Sequence, residues 1–398
     1  MAGRSKRPVP RTRTTAASLP ARATPIRLLT AVPICDGHDS AISTINLELT
    51  RQGMEVVYLG YNRSARDVVR AAVQEDVRAV GISSYNGGHV EYFREVAEQL
   101  KEEGAGEIGL FGGGGGTITR GDARLMRKHG VDEIFFPGTP LEEIVRFVRD
   151  AYGPPRPRRR RAANGRGPCE DLRLARLLSA AENGEFAPTH LSTASTPRTI
   201  GITGPGGAGK TTLIDELVLR RLRAHPDSRI AILSHDPSIL GNGALLGDRA
   251  AMIYAQDDRV FMRSLGTRGQ AGGVAAATAG CLAVLQHAIH NGGSVFDLIL
   301  VETVGIGQEA MPLADDGVDC RVLVMSPDYG SRLQLQKIAM LDAADIIVVN
   351  KADLGGAPAA RAEIEQRLAA NARGQRLLSA VAKRHGDAGV DELYGMLE

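Results

Sequence analysis

The sequence predicts an α/β protein of two units, each an open parallel sheet covered by helices. Three observations predict it. Short apolar runs and helical patterns alternate five times between residues 25 and 152. A glycine-rich loop of phosphate-binding type stands between an apolar run and a helical pattern at residues 201–212. Further apolar runs recur from there to the C-terminus. Alternation at this spacing implies parallel strands joined by crossover helices.

In the first unit, strand-like runs occur at 26–32, 55–59, 78–83, 107–111 and 133–136. Helical patterns occupy 39–52, 64–75, 89–103, 120–129 and 140–152. Five such units predict a five-stranded parallel sheet of flavodoxin-like (Rossmann-like) type, residues 25–152. Ligands of such sheets sit beyond the C-terminal strand ends, and the unusual residues cluster there. Asp36-Gly-His38-Asp follows the first strand, Ser83-Ser-Tyr85-Asn-Gly-Gly-His the third, and five glycines, 112–116, the fourth. Gly112, Gly113 and Gly114 admit a flat ligand close to the backbone. His38 can ligate a metal, with Asp36 orienting its imidazole. No second His/Cys/Asp cluster completes a protein-only cage, so the metal would arrive with its other ligands attached, as in a macrocycle.

Residues 1–24 carry six Lys/Arg, no acid, and Pro8, Pro10 and Pro20, and are expected to form a disordered basic tail. Residues 153–168 hold six arginines with Pro and Gly and are expected to be a linker. A connecting helix and loop, 169–196, follows. Its helix at 170–183 places Leu172, Ala175, Leu177 and Leu178 along one side and is expected to dock the units together.

The second unit, 197–398, opens on Gly204-Pro-Gly-Gly207-Ala-Gly209-Lys210-Thr211-Thr212, which contains G-x-x-x-x-G-K-[ST]. Small residues let backbone N–H groups turn inward at a helix N-terminus. Lys210 can then reach the β and γ phosphates, and the Thr211 hydroxyl can hold Mg²⁺. Strand candidates follow at 229–233, 259–263, 298–302, 321–325 and 345–349. Asp236 follows the first of these, and Glu302 closes a strand where a Walker-B-type carboxylate belongs. Asn350-Lys351-Ala-Asp353 follows the last. N-K-x-D after a late strand reads guanine, because the Asp carboxylate accepts from N1–H and the 2-amino group. GTP is therefore expected over ATP. Ser379-Ala380 is a candidate for the base-side S-A motif.

Composition narrows the classes. The 398 residues are 43% apolar and 24% charged with net charge +2, which argues against a wide basic nucleic-acid face. Arginine outnumbers lysine 41 to 7, a general bias. Cysteines at 35, 169, 281 and 320 give no zinc or disulfide spacing and suit a reducing, cytoplasmic compartment. No secretory signal is visible. The uncharged run 269–296 holds several polar residues and reads as a buried helix, so no membrane is expected.

With these residues in view, the first unit resembles the cobalamin-binding domain of adenosylcobalamin-dependent acyl-CoA mutases. The D-x-H of D-x-H-x-x-G falls on Asp36 and His38, S-x-L on Ser83 and Tyr85, and the G-G motif within the glycine run. Ala41 replaces the motif's Gly, and Tyr85 its Leu. The stretches DGHD, SYNGGH and FGGGGG look most like the fused isobutyryl-CoA mutase branch of the methylmalonyl-CoA mutase family. The resemblance implies that His38 is the lower axial cobalt ligand and that the nucleotide tail passes Ser83, Tyr85 and the glycines.

The second unit resembles metallochaperone-type GTPases that service acyl-CoA mutases. That implies Lys210, Thr211, Asp236 and Glu302 around Mg–GTP, Lys210 and Glu302 serving catalysis. Asp248 would join the Mg²⁺ site within a nucleotide-sensing switch. Gly204, Gly207, Gly209, Thr212, Asn350, Lys351 and Asp353 would complete the nucleotide site. Gln308 stands three residues beyond Gly305 and no arginine finger is evident, so slow intrinsic turnover is expected.

A substrate barrel needs about 250 residues, and no segment of this sequence supplies one. The expectation is an adenosylcobalamin-binding subunit fused to a GTP-hydrolysing chaperone, with the mutase barrel on a separate large subunit. A cobalamin adenosyltransferase and a second copy of the GTPase unit are further implied partners. The rival readings are a cobalamin-responsive regulatory GTPase and a corrinoid methyl-transfer shuttle.

Overall fold

The computed structural model describes residues 24–154, 167–185, 196–238, 243–290, 293–305, 317–329, 340–371 and 373–398. The expected tail, most of the expected linker and Gln308 lie outside these residues.

The first unit runs β1 (Arg27–Ala31), α1 (Ser40–Arg51), β2 (Glu55–Tyr58), α2 (Ala65–Gln74), β3 (Ala79–Ser83), α3 (His89–Glu102), β4 (Gly109–Gly113), α4 (Arg120–Lys128), β5 (Glu133–Phe135), α5 (Leu141–Tyr152). Helices α2 and α4 begin on capping boxes, Ser64 with Asp67 and Thr119 with Asp122. Each box satisfies N–H groups that a helix start leaves without partners. Apolar residues from both faces of the sheet are buried, Leu29 and Val80 in one cluster and Leu28 and Val56 in the other. Burial on both faces explains why these strands read as continuous apolar runs.

The second unit contains β6 (Arg198–Thr203), α7 (Lys210–Ala224), β7 (Ile230–Asp236), β8 (Ala244–Leu246), α8 (Asp248–Ala251), β9 (Val260–Gly266) and α9 (Thr278–Gln286). A two-stranded hairpin, β10 (Ile289–His290) and β11 (Gly293–Ser294), precedes β12 (Leu298–Glu302), β13 (Cys320–Met325), β14 (Ile346–Val349) and β15 (Arg376–Ser379). Its seven-stranded sheet has the order β15-β14-β13-β6-β12-β7-β9, every pair parallel. The run 269–296 is not one long buried helix; among its described residues only the nine of α9 are helical. Glycines 272 and 273 adopt positive φ ahead of it, which breaks helical geometry.

The first sheet has six strands, not the expected five, in the order β5-β4-β3-β1-β2-β8. The sixth comes from the second unit of the sequence. β8 adds parallel to the edge of β2, with Glu55 opposite Ala244 and Val57 opposite Leu246. An open edge leaves N–H and C=O groups without partners, and β8 covers this one. Ala244 and Leu246 are buried in the first unit's core.

The reverse contact closes the other sheet's edge. At the end of α2, the Gln74 amide oxygen accepts from Met262 N (3.2 Å) on β9, and the Glu75 carboxylate accepts from Ser264 N (3.1 Å). The connecting helix α6 (Glu170–Glu182) lies across both units. Leu172 packs in the first core, and Leu174, Ala175 and Leu178 in the second. Leu177, expected on the docking side, is exposed and Leu174 is buried instead. With a core on either side, α6 buries more than one stripe.

Candidate functional site

Two constellations lie at C-terminal strand ends, one on each sheet. On the first, Asp36 is almost fully buried although it is charged. Its Oδ1 accepts from His38 N (3.1 Å) and lies 2.9 Å from His38 Nδ1. Its Oδ2 accepts from the backbone N–H groups of Tyr85 and Asn86. Burial pushes this carboxyl up, but the Tyr85 N–H and the His38 ring hold it below the usual range. An ionised Asp36 fixes the proton on His38 Nδ1 and leaves Nε2 as the nitrogen available to a metal. The His38 ring stays largely exposed and stacks on Tyr85 with centroids 4.5 Å apart.

Ser83 ends β3 and Gly112 and Gly113 end β4, in register: Ile82 faces Gly112 and Ser83 faces Gly113. The glycine run leaves no room for side chains. A Cβ on Gly114 would fall 2.0 Å from Ser84 O, and one on Gly115 would enter the Tyr85 ring. These glycines therefore let the β4 end pack against Ile82, Ser84, Tyr85 and Phe135 of its own sheet end, which brings the backbone of this loop close to Tyr85 and His38. His38, Asp36, Ser83, Tyr85, Gly112, Gly113 and Gly114 are thus brought to one end of the sheet. Asn86, a second N–H donor to Asp36, went unread because main-chain contacts carry no sequence signal.

On the second sheet, the phosphate loop joins β6 to α7. Gly204 (φ +145°) and Gly209 (φ +90°) need a conformation that side chains disfavour. A Cβ on Gly204 would also sit 2.0 Å from Val324 O. Lys210 is buried, and its Nζ donates to Gly204 O (3.1 Å) and Pro205 O (3.3 Å), carbonyls of its own loop. Gly207 belongs to the same loop, and Thr211 and Thr212 lie in the first turn of α7.

Beside the loop gather three carboxylates. Thr211 Oγ1 donates to Glu302 Oε1 (2.7 Å), and Ser234 Oγ donates to Asp248 Oδ2 (2.5 Å). Gly247 N donates to Asp236 Oδ1 (3.3 Å). Asp236 Oδ2 and Glu302 Oε2 are buried without a hydrogen-bond partner. Burial pushes Glu302 up to about 8, with repulsion from Asp248 adding to it. Asp236 is pushed well up by burial and by Asp248, and Asp248 is pushed up by burial. Hard oxygen donors with spare lone pairs at a phosphate loop fit a Mg²⁺ ion, which would reverse these shifts.

Ser234 and His235 were not singled out in the sequence. His235 is fully buried; its Nδ1 donates to Glu302 O (2.6 Å) and its Nε2 lies 2.8 Å from the Thr278 hydroxyl. Burial lowers it to about 4, so it is neutral at physiological pH. It anchors the backbone where Glu302 leaves its strand.

Asn350 binds the nucleotide loops to each other. Its Nδ2 donates to Ala208 O (2.9 Å) and its Oδ1 accepts from Ala382 N (3.0 Å). Ala352 N donates to Ala380 O (3.0 Å), so Ser379-Ala380 adjoins Asn350–Asp353. Lys351 takes a left-handed φ of +58° at this turn. Lys383 pairs with Asp353 (2.5 Å), and its hydrogen bond holds that carboxyl below the usual range.

Among the described residues, no group of three His/Cys/Asp/Glu is placed to hold a metal ion by itself, so a Mg²⁺ beside the phosphate loop would need further oxygens from Thr211 and bound phosphates; no helix is long and apolar enough to cross a membrane.

Comparison with known proteins accounts for both halves. A family model described as methylmalonyl-CoA mutase-associated GTPase MeaB matches residues 180–396, and one described as a B12-binding domain matches 26–145. A fused isobutyryl-CoA mutase of Cupriavidus metallidurans is 38% identical over 414 residues, covering 96% of this chain and 37% of that protein. Another, from Nocardia farcinica, is 40% identical over 358 residues, with 85% and 32% covered. The 2-hydroxyisobutanoyl-CoA mutase small subunit of Aquincola tertiaricarbonis is 36% identical over 126 residues, 32% of this chain and 91% of that protein. The chain thus spans about a third of the length of the fused relatives.

Proposed function

We propose, from the premise that the chain belongs to the methylmalonyl-CoA mutase-associated GTPase family, that it carries adenosylcobalamin for an acyl-CoA mutase and chaperones that cofactor by hydrolysing GTP. The mutase barrel would belong to a separate subunit, as the likeness to a mutase small subunit supports. The observation that carries the reading is the buried Asp36 holding the exposed His38 ring at the C-terminal end of the first sheet.

On this reading each residue has a role. His38 Nε2 would hold the cobalt, with Asp36 setting the tautomer. Ser83, Tyr85 and Gly112 to Gly114 would line the tail's path. Bound adenosylcobalamin supplies cobalt–carbon homolysis, chemistry that belongs to the cofactor. Gly204, Gly207, Gly209 and Thr212 would receive the phosphates, with Lys210 moving from its loop carbonyls onto them. Thr211, Asp236, Asp248 and Glu302 would hold Mg²⁺, which neutralises charge on the phosphates. Asn350 and Lys351 would shape the guanine pocket, and Asp353 would read the base. Turnover would be slow unless a partner supplies an arginine. A cobalamin adenosyltransferase and a second copy of the GTPase unit are the other proposed partners, in a cytoplasmic setting that suits four free cysteines.

The test is a pull-down from native lysate with adenosylcobalamin and a slowly hydrolysed GTP analogue, followed by acyl-CoA mutase assay of the eluate. A barrel-bearing subunit with mutase activity supports the reading. Cobalamin retained without such a subunit would instead favour a cobalamin-responsive regulatory GTPase. In the purified protein, His38→Ala should lose the His-ligated absorption spectrum; an unchanged spectrum refutes the axial role.

A further inference from the structure

The cobalamin-side loop and the GTPase half meet at Arg63, to which no role has been assigned. It lies on the loop leaving β2, and its backbone is fastened to the strand that leads into Asp36 and His38. Arg63 N donates to Val32 O (3.1 Å), Arg63 bridges to Pro33, and its carbonyl accepts from Tyr92 Oη (2.8 Å). Its neighbour Asn62 accepts from Cys35 N (2.9 Å), one residue before Asp36.

The guanidinium points the other way. Arg63 Nη2 donates to Ala250 O (3.1 Å), and its buried Nε has no partner. Ala250 sits two residues beyond Asp248, and the intervening Arg249 is fully buried. Arg249 donates to Gln74 Oε1 (2.5 Å), Met262 O (2.9 Å) and Glu75 Oε1 (3.2 Å). This stretch thus runs from Asp248, among the carboxylates beside the phosphate loop, to Ala250 against Arg63, with Arg249 hydrogen-bonded between them.

We propose that Arg63 is a positioning residue that transmits the placement of segment 247–251 to the loop bearing Asp36 and His38. This rests on the cobalamin-and-GTP reading above. A shift of Asp248 on binding Mg–nucleotide moves Ala250 O, and Arg63 carries that displacement to the Pro33–His38 stretch. Coupling between binding sites is reciprocal, so cobalamin must alter nucleotide affinity by the same factor.

The experiment titrates adenosylcobalamin into the full chain, by absorbance, with Mg–GDP or with Mg and a non-hydrolysable GTP analogue. The reverse titration measures nucleotide affinity with and without cobalamin. In the wild type the two nucleotide states should differ in cobalamin affinity by about fivefold or more, the lower end of ordinary coupling. Arg63→Met should bring that ratio close to one and leave GTP turnover without cobalamin unchanged. Arg63→Lys, which keeps one donor, should restore part of the ratio, as a merely space-filling role would not require. If Arg63→Met fails to fold, Asn62→Ala cuts the next link and should lower the ratio likewise. A wild-type ratio of one, or a full ratio in both Arg63→Met and Asn62→Ala, overturns the proposal while the functional reading stands. Absence of cobalamin or GTP binding by the wild type overturns that reading and the inference with it.

Discussion

Replacing Gly243 with alanine should detach the sixth strand from the first sheet. A Cβ there would fall 1.8 Å from Met54 O and 2.6 Å from Met54 C, both backbone atoms that cannot swing aside. Restoring ordinary contact needs a shift of about 1.5 Å. Two hydrogen bonds depend on the present approach, Gly243 N to Thr50 O (2.8 Å) and Ala244 N to Met54 O (3.2 Å). Losing them costs about 1 kcal/mol each, and half-exposing the buried Leu246 costs about 1 kcal/mol more. A local destabilisation of about 3 kcal/mol corresponds to roughly 100-fold faster opening. Amide hydrogen exchange read by mass spectrometry resolves this locally, where global unfolding of a two-unit protein would not. Peptides covering 243–249 and 50–58 should lose protection, and β4 should keep its own. Wild-type protection across 243–249 in the variant would refute the strand-addition argument.

Three further outcomes follow from the same geometry. Asp36→Asn places an amide NH₂ among N–H donors and no longer fixes the His38 tautomer, so cobalamin affinity should fall about 10–100-fold; an absorbance titration with unchanged affinity counts against the role of Asp36. Glu55 is held down to about 2, against burial, by Arg27 and Arg268. Because its folded value is depressed, its contribution is complete above its ordinary range near 4.5 and fades as pH falls toward 2. Glu55→Gln should therefore flatten the stability–pH slope there by up to about 1.4 kcal/mol per pH unit, and parallel slopes in denaturant titrations would contradict this. Asp353→Asn should shift nucleotide preference from GTP toward xanthosine triphosphate in competition binding, and an unaltered preference for GTP would remove Asp353 from base reading.

What the sequence disclosed and what it hid divide along physical lines. Strands buried on both faces, such as Leu298–Glu302, announce themselves as apolar runs, and βα alternation supplied the layering. The phosphate loop and Asn350–Asp353 were legible because backbone geometry dictates their spacing. β8 was not, since three residues show no periodicity and its partner β2 lies about 190 residues earlier. Edge strand β15 begins on an exposed Arg376 and was missed for a similar reason. Gln74 and Glu75 look like the solvated end of a helix, yet both are fully buried. Their oxygens are satisfied by the edge of β9 and by the buried Arg249, partners more than 170 residues away in sequence.

That interface also limits how the two sites can communicate. Arg27, Arg249 and Arg263 meet Glu55, Glu75 and Glu182 in a nearly dry layer, with Arg268 at its margin. Burying ion pairs adds little net stability, because desolvation offsets attraction. Their effect appears when the layer is opened unevenly. Removing Glu182 alone would strand Arg263, whose carboxylate partner it is, while Arg27 keeps Glu55, and an uncompensated buried charge costs about 3–5 kcal/mol. Parting the sheets would also leave the N–H groups of Met262 and Ser264 and the β2 edge without their present acceptors. Uneven opening of this layer is therefore disfavoured. On the proposal above, a signal from Asp248 to His38 is a displacement of segment 247–251. Arg63 is where that segment meets the His38 loop, so its hydrogen bond to Ala250 O is the link on which coupling depends.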